Sequence, residues 1–493
     1  MTRYFGGLDV GTSSMKAVLV TVSGQDCDVV WARSETYNEH GAPEREPETW
    51  HRIAHKLLRE MMKIHQPEAL GFSGQMHTLL ATGKDGDIVA PVRLWLDMDG
   101  FDALNQTPLN RAEWVKKTGN IPLPDFTLAK WLWAVNMDPT LPSKTQRLYC
   151  AKDYLRHALD PSARFVTDRN EAAGMQCYDP VSGKWQADIL DIAHLPAHVL
   201  PEPADASDIA GELNLATYVV SHTPSIPMVI GAGDQATAAR AVGGYREGAV
   251  SVSLGTSGVL SFSLAKDQLP KSWSGDFHLF PFGFGNNYQV IGTIPALGPT
   301  LNWLKKVLHL TTESFDQLAG HALLCDTEVQ FLPFLSGSGA PEPNHQLSAG
   351  WLNMSLTSDD TDLCRAVFNG IALEFDYIIR RAQELGIPAK SLHFSGGGSQ
   401  VQPLLKVIAS VTGLPCYNAA TPDASATGAA LLATDAIMPE NKATLAMTPV
   451  HPVCVTPISD ASRQRWYQAR QQATGTDTVQ KQKEGNHGHT ETG

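Results

Sequence analysis

The chain contains the same short turn twice, about half a chain apart. Gly-Thr-Ser occurs at 11–13 and again at 255–257, each time between two short apolar runs. This pattern predicts two strands joined by a tight hairpin turn. Glycine lets a ligand approach the backbone closely, and the neighbouring N–H and hydroxyl groups can hold a phosphate. Two such hairpins predict two related domains that face one nucleotide.

Only the first turn is preceded by an acid, Asp9. A carboxylate beside a phosphate loop is repulsive unless a cation lies between them, so Asp9 indicates a magnesium site. A single Gly-Thr-Ser would also fit an ordinary hairpin turn. Two copies in matching strand contexts favour phosphate binding. The sequence lacks the pattern Gly-x4-Gly-Lys-Ser/Thr, so the predicted site is not a P-loop.

The composition limits the class of protein. The 493 residues are enough for two to four domains, and the net charge of −13 without a long basic stretch argues against nucleic acid and anionic membranes as partners. Seven dispersed cysteines argue for a reducing compartment and against a zinc site. No signal peptide is visible, and no apolar run approaches the ~20 residues that span a bilayer. We therefore expect a soluble, cytoplasmic protein.

Strand and helix patterns alternate along the chain and predict an α/β fold. Strands are expected within 1–35 and at 69–72, 228–231, 249–252, 259–262 and 392–394. Helices are expected at 48–65, 128–135, 152–159, 236–242, 300–308, 361–385, 403–412 and 424–434. The last of these is rich in small residues and should pack tightly. Residues 474–493 are polar and Gly-rich, and are predicted to be a disordered tail.

Three further segments lie at strand ends, where α/β sheets bind ligands. Three glycines at 396–398 separate a predicted strand from a helix, which favours close approach of an anion or a nucleotide. Asp234 ends a buried strand and is a candidate general base for a hydroxyl, or a helix N-cap. His77 is a candidate donor to sugar hydroxyls or a structural histidine. Trp95 would stack on a sugar or fill the core.

These segments together resemble the FGGY family of carbohydrate kinases, and most of all its xylulokinase branch. The resemblance covers nearly the whole globular region, and its motifs are specific through their order and spacing. The matching segments are Asp9-Val10-Gly11-Thr12 with Lys16, Ser73-Gly74-Gln75-Met76-His77, Trp95-Leu96-Asp97, Lys152-Asp153-Tyr154-Leu155, Ala172-Ala173-Gly174, Gly233-Asp234, Ser253-Leu254-Gly255-Thr256-Ser257-Gly258, Leu332-Pro333-Phe334-Leu335-Ser336-Gly337 and Gly396-Gly397-Gly398.

The resemblance implies two actin-like (ribonuclease H-like, ASKHA) domains, at 1–243 and 244–473, with ATP in the cleft between them. Asp234 matches the catalytic base, and Asp9 matches the acid associated with Mg²⁺. The implied ATP-binding residues are Gly11, Thr12, Ser13, Lys16, Gly255, Thr256, Gly298, Asn302, Gly397, Gly398 and Gln402. The implied sugar-binding residues are Met76, His77, Trp95, Asp97 and Gln235. The expected partners are the sugar and ATP, with a homodimer allowed.

The chain departs from the xylulokinase pattern at several positions. Thr78 stands where Gly is usual, Gln235 where Asn is frequent, and Met98-Asp99 where Gly-Arg often follows. A second arginine is missing at Gly339. The expected reaction is transfer of the ATP γ-phosphate to D-xylulose. L-xylulose, ribulose, sedoheptulose and erythritol are the alternative acceptors.

Two other classes of protein fit part of the pattern. A non-catalytic sugar or nucleotide sensor of the same fold would not need both Asp9 and Asp234. An actin-like filament protein or a chaperone ATPase would not need the segments Gln-Met-His and Gly-Asp-Gln at strand ends. Turnover with any sugar separates the kinase from both.

Overall fold

The computed structural model describes residues 2–37, 45–219, 224–270, 272–421, 423–440 and 442–475. Of the predicted tail, Thr474 and Gly475 end the last helix, and the remaining residues lie outside the described part of the chain.

The strands and helices up to residue 242 surround the first large sheet. The strands are β1 Arg3–Val10, β2 Ser14–Ser23, β3 Asp26–Thr36, β4 Leu70–Gly74, β5 Leu80–Thr82, β6 Arg147–Tyr149, β7 Val166–Asp168, β8 Tyr178–Asp179, β9 Lys184–Trp185, β10 Glu202–Ala204, β11 Ile209–Asn214, β12 Ser225–Val229 and β13 Ala232–Gly233. The helices are α1 Pro47–Ile64, α2 Phe101–Asn105, α3 Arg111–Thr118, α4 Thr127–Met137, α5 Leu141–Lys144, α6 Ala151–Leu159, α7 Arg169–Gly174, α8 Ala187–Ile192 and α9 Asp234–Val242.

Most of the later elements surround the second large sheet, whereas one short strand and one helix join the first. The strands are β14 Ala249–Leu254, β15 Gly258–Leu264, β16 His278–Pro281, β17 Tyr288–Ile294, β18 Gln330–Leu332, β19 Gly350–Leu352, β20 Ser391–Ser395, β21 Cys416–Ala419, β22 Thr444–Leu445 and β23 Met447–Val450. The helices are α10 Leu297–Val307, α11 Thr312–Ala322, α12 Asp360–Glu384, α13 Gln402–Thr412, α14 Ala424–Ile437 and α15 Asp460–Thr474. Each helix predicted from the sequence is present within three residues of its predicted ends.

The two large sheets share one pattern. The first runs β11-β12-β4-β1-β2-β3-β22, with β13 beside β4, and the second runs β16-β17-β15-β14-β20-β21-β23. In each, an antiparallel hairpin, β1/β2 or β14/β15, lies next to a strand parallel to its first member, β4 or β20. The predicted α/β class with two related sheets is therefore confirmed.

Helix α14 comes late in the chain but packs on the first sheet and on α9. A Cβ added at Gly7 would lie 2.0 Å from the Ala426 carbonyl oxygen, and one at Gly428 would lie 1.7 Å from that of Thr237. Glycine is required at both contacts because no side chain fits between the backbones. The predicted tight packing of this helix is confirmed. Strand β22 also joins the first sheet. The division of the chain into two domains at 243/244 stays a prediction.

Two structural features bring the ligand-binding segments together. In the first sheet, Asp9 lies opposite Ser73 and Gly233 opposite Gly74, so Asp9 and Asp234 lie at the same edge, on either side of β4. In the second sheet, Ser253 lies opposite Ser395, so the second turn and the glycines at 396–398 also share an edge. The carboxyl ends of these parallel strands form the floor of the candidate site.

Candidate functional site

The first turn is a tight hairpin, as predicted. The Gly11 N–H donates to the Ser14 carbonyl oxygen at 3.1 Å, and the Trp95 indole N–H donates to Thr12 Oγ1 at 2.9 Å. Ser13 is exposed at the tip of the turn. Lys16 pairs with Asp423, Nζ to Oδ1 at 3.3 Å, and so joins the first hairpin to the start of α14. The turn is therefore fixed from two sides.

Asp9 is 5% exposed at the end of β1. Its Oδ2 accepts a 2.7 Å hydrogen bond from Ser425 Oγ, while its Oδ1 is buried and has no hydrogen-bond partner in the described structure. An unpaired buried carboxylate oxygen is costly unless it meets a cation. No group of three or more metal-ligating side chains occurs within the described ranges. A single carboxylate fits Mg²⁺, which usually binds one or two carboxylates together with substrate phosphates and waters.

Asp234 is the first residue of α9. Its N-cap is Gly233, so the alternative prediction that Asp234 is itself the cap is wrong. Gly231, at φ +78°, turns the chain sharply after β12, and a Cβ there would lie 1.9 Å from the Phe72 carbonyl oxygen. The Asp234 Oδ1 accepts from the Gln235 N–H at 2.8 Å. Burial, and then the charge of Asp9, raise the pKa of Asp234 to about 7.

The second turn is also a hairpin turn, but it is one residue shorter than the first, with three residues between the paired Leu254 and Gly258. The Gly255 N–H donates to the Ser257 carbonyl oxygen at 2.9 Å. The Gly298 N–H, at the start of α10, donates to the carbonyl oxygen of Gly255 at 3.1 Å, and a Cβ at 298 would lie 2.6 Å from that oxygen. Gly298 therefore supports the turn. Asn302, one turn further along the helix, is exposed.

The glycine-rich segment after β20 approaches the second turn. Gly396 has φ +87°, and a Cβ at Gly398 would lie 3.0 Å from the Leu254 carbonyl oxygen. Gly397 is exposed, with open space where its Cβ would be. Gln402 is also exposed, and its amide donates to the Ser399 carbonyl oxygen at 3.3 Å. The segment is open at Gly397 and Gln402, and closely packed at the other two glycines.

A cavity of about 540 Å³ lies between the two sheets. It brings together eight of the predicted site residues: Thr12, Met76, His77, Trp95, Asp234, Gln235, Gly255 and Thr256. The other predicted residues do not line it: Asp9, Gly11, Ser13, Lys16, Asp97, Gly298, Asn302, Gly397, Gly398 and Gln402. The candidate base, four of the five predicted sugar-site residues and residues from both turns thus meet in one space.

His77 has a fixed tautomer. It adopts φ +67°, and its Nδ1 lies 2.9 Å from the Gly174 carbonyl oxygen. A carbonyl only accepts, so Nδ1 carries the proton. Burial is the main cause that lowers the pKa of His77 to about 4, so Nε2 is an unprotonated acceptor at neutral pH. The predicted hydrogen-bond donor is therefore an acceptor at Nε2, while the contact of His77 with a sugar stays a prediction.

Asp97 holds its own loop. Its carboxylate accepts from the Leu94 N–H and from Arg45 Nη2, both at 2.8 Å. Partial burial opposes ionisation, but the Arg45 and Leu94 hydrogen bonds outweigh it and lower the pKa of Asp97. Asp97 does not line the cavity, and its contact with the sugar stays a prediction.

The positions of the two missing arginines differ. Asp99 is exposed and pairs with Arg93, Oδ2 to Nε at 3.1 Å, outside the cavity lining. Gly339 lines the cavity, but a Cβ there would lie 2.1 Å from Thr293 Oγ1. No side chain fits at 339 on this backbone.

Several cavity residues were not singled out from the sequence. They are Asp125, His278, Phe280, Thr293 and His345. None belongs to a glycine-rich turn or a strand-end motif. The one available signal was the position of Asp125 just before the helix that begins at Thr127.

No helix in the described parts of the chain is long and apolar enough to cross a membrane.

Comparisons with known proteins agree with this architecture. Residues 4–241 match the N-terminal domain model, and residues 250–437 the C-terminal domain model, of the FGGY family of carbohydrate kinases. The xylulose kinase of Escherichia coli (strain K12) is 28% identical over 479 residues, which cover 94% of this chain and 96% of that protein.

Two solved structures have the same fold. A xyloylose kinase from Brucella ovis has a TM-score of 0.84 at 25% identity, covering 97% of this chain and 99% of its own. A gluconate kinase from Lactobacillus acidophilus has a TM-score of 0.82 at 20% identity, covering 95% of this chain and 96% of its own.

Proposed function

The chain belongs to the FGGY family of carbohydrate kinases, and from that premise we propose that it transfers the γ-phosphate of ATP to a terminal hydroxyl of D-xylulose. The product would be D-xylulose 5-phosphate. The observation that carries the proposal is the single cavity in which Asp234, Met76 and His77 meet both phosphate-type turns. Relatives named xylulose kinase support the choice of acceptor.

The proposed mechanism assigns the proton transfer to Asp234. With a pKa of about 7, its carboxylate is poised to take the proton of the acceptor hydroxyl at neutral pH. The hydroxyl oxygen forms a bond to the γ-phosphorus as the bond to the bridging oxygen of ADP breaks. His77 Nε2 accepts from a neighbouring sugar hydroxyl and fixes the orientation of the acceptor.

The two turns are assigned to the phosphates of ATP. Thr12 and Thr256 line the cavity from the two hairpins of opposite sheets, so a nucleotide whose phosphates bind their backbone N–H groups would bridge the sheets. Mg²⁺ held beside Asp9 would neutralise phosphate charge. The exposed Gly397, Asn302 and Gln402 are left for the adenosine moiety.

The proposal is tested by measuring ADP release with Mg-ATP over a panel of acceptors. The panel contains D-xylulose, L-xylulose, D-ribulose, L-ribulose, sedoheptulose, erythritol and D-gluconate. D-xylulose is expected to give the highest kcat/KM, and Asp234→Asn is the inactive control. Preference for another ketose would overturn the choice of D-xylulose, and turnover of only a polyol would overturn the ketose assignment.

A homodimer stays a prediction, which sedimentation equilibrium tests.

A further inference from the structure

Two polar side chains that line the cavity have no role in the proposed mechanism. Asp125 precedes α4 in the first half of the chain, and His278 begins β16 in the second half. Both line the cavity and are only partly exposed. Neither side chain makes a hydrogen bond or an ion pair with any residue that the structure describes. A carboxylate and an imidazole are thus directed at the same space from opposite halves, without protein partners.

The ring of His278 belongs to an aromatic group of four rings, with those of His77, Phe126 and Phe280. The ring of Phe126 lies 4.5 Å from that of His77 and 6.0 Å from that of His278, centroid to centroid, and Phe280 lies 6.1 Å from Phe126. These rings fix the two histidines. Burial is the main cause of a lowered pKa at both, and the charge of Asp125 only partly opposes it. Both imidazoles are therefore neutral at pH 7, and neither cancels the charge of Asp125.

The cavity carries negative charge without a facing cation. Its acidic members are Asp125 and Asp234, and no lysine or arginine lines it within the described ranges. Lys130 is fully buried outside the cavity lining and donates to the backbone carbonyl oxygens of Asp125 and Phe126; its ammonium attracts the Asp125 carboxylate from behind and offsets part of its charge. An acceptor with its own carboxylate would lie beside two acids of the same sign. Sugar hydroxyls, in contrast, donate directly to these oxygens.

We propose that Asp125 and His278 bind the hydroxyls of the acceptor that are not phosphorylated, and that Asp125 restricts the acceptor to uncharged sugars. The inference rests on the proposed function and specifies the substrate class of the same site. The fold alone does not imply this restriction, because a gluconate kinase, named for a charged acceptor, has the same fold. It also explains how binding can depend on both halves of the chain, since one hydroxyl-binding group comes from each.

The test compares Asp125→Asn and Asp125→Ala with the control Asp99→Asn. Asp99 is an acid of the same region that pairs with Arg93 and does not line the cavity. Loss of hydrogen bonds to a charged group should raise the acceptor KM by about 10- to 100-fold in Asp125→Ala. The KM for ATP should stay within about twofold and kcat within about fivefold. The control should match the wild type in all three constants.

The charge effect is measured separately by binding. Calorimetry compares xylitol with D-xylonate, which have similar chains but differ in charge. The wild type should bind xylitol at least about tenfold more tightly, and Asp125→Asn should reduce this ratio at least about fivefold, because the amide keeps the shape and removes the charge.

Each outcome bears on a separate claim. Equal binding of xylitol and D-xylonate by the wild type, or an unchanged ratio in Asp125→Asn, overturns the charge claim. An acceptor KM within twofold of the wild type in both Asp125 variants overturns the binding role. Turnover of no acceptor by the wild type refutes the proposed function, while the calorimetric ratio still decides the role of Asp125. His278→Ala should raise the acceptor KM, as Asp125→Ala does.

Discussion

Replacing the candidate base should inactivate the protein and stabilise it at the same time. Asp234 is held at a cavity edge where burial and Asp9 raise its pKa from 3.8 to about 7. The folded state therefore binds the proton more tightly than the unfolded state does. Ionising this carboxyl costs folding free energy, and the cost grows as the pH rises from about 4 to about 7 and is constant above. Asp234→Asn removes this cost.

The magnitude follows from the size of the pKa change. At about 1.4 kcal/mol for each tenfold change in proton affinity, a rise from 3.8 to about 7 corresponds to roughly 4 kcal/mol. Asp234 faces an open cavity in which water screens its charge, and we therefore expect about 1–2 kcal/mol. Loss of the base should reduce kcat by about 10²- to 10⁴-fold.

The assay is urea unfolding of both proteins at pH 5 and pH 8, together with kcat at pH 8. The variant should gain more free energy of unfolding at pH 8 than at pH 5. Asp97→Asn is a matched control with the opposite sign, because hydrogen bonds lower the pKa of that carboxyl. A variant no more stable than the wild type at pH 8 would refute the electrostatic reasoning, and one that keeps more than about a tenth of kcat would refute the assignment of the base.

Three further predictions follow from the same geometry. The kcat/KM for the acceptor should fall below about pH 7 as Asp234 takes up its proton. His77, with a pKa of about 4, should add no transition between pH 5 and 9. A kcat/KM that is constant from pH 5.5 to 8 contradicts this prediction. Asp9→Ala should raise the Mg²⁺ concentration for half-maximal rate at least about tenfold in a Mg²⁺ titration and leave the acceptor KM unchanged; an unaltered titration would make Asp9 a turn residue only. Gly298→Ala should raise the KM for ATP several-fold, since its Cβ would lie 2.6 Å from the Gly255 carbonyl oxygen, and an equal rise in the acceptor KM would contradict the local effect.

The sequence predicted the parts of the site that depend on local patterns. Both Gly-Thr-Ser turns, the strand-end position of Asp234 and the glycines at 396–398 follow from short apolar runs interrupted by turn residues. The same patterns could not predict the side chains that tertiary packing brings into the cavity. Asp125 and His278 come from separate segments, and apart from the position of Asp125 just before a helix, nothing in their local sequence distinguishes them.

Long-range contacts also decided details that local rules left open. Ser425 donates to Asp9 across 416 residues, because α14 returns to the first sheet. The Gly174 carbonyl oxygen fixes the tautomer of His77 and makes its Nε2 an acceptor. The N-cap of α9 is Gly233, since the sharp turn at Gly231 places Asp234 one residue into the helix.

The most direct test of the account is the steady-state rate of ADP formation by the wild-type protein with Mg-ATP and D-xylulose, measured beside Asp234→Asn. The account predicts saturable, D-xylulose-dependent ADP formation, reduced at least about 100-fold in the variant. ADP formation that does not depend on D-xylulose or any other neutral sugar, or that is equal in the two proteins, would contradict it.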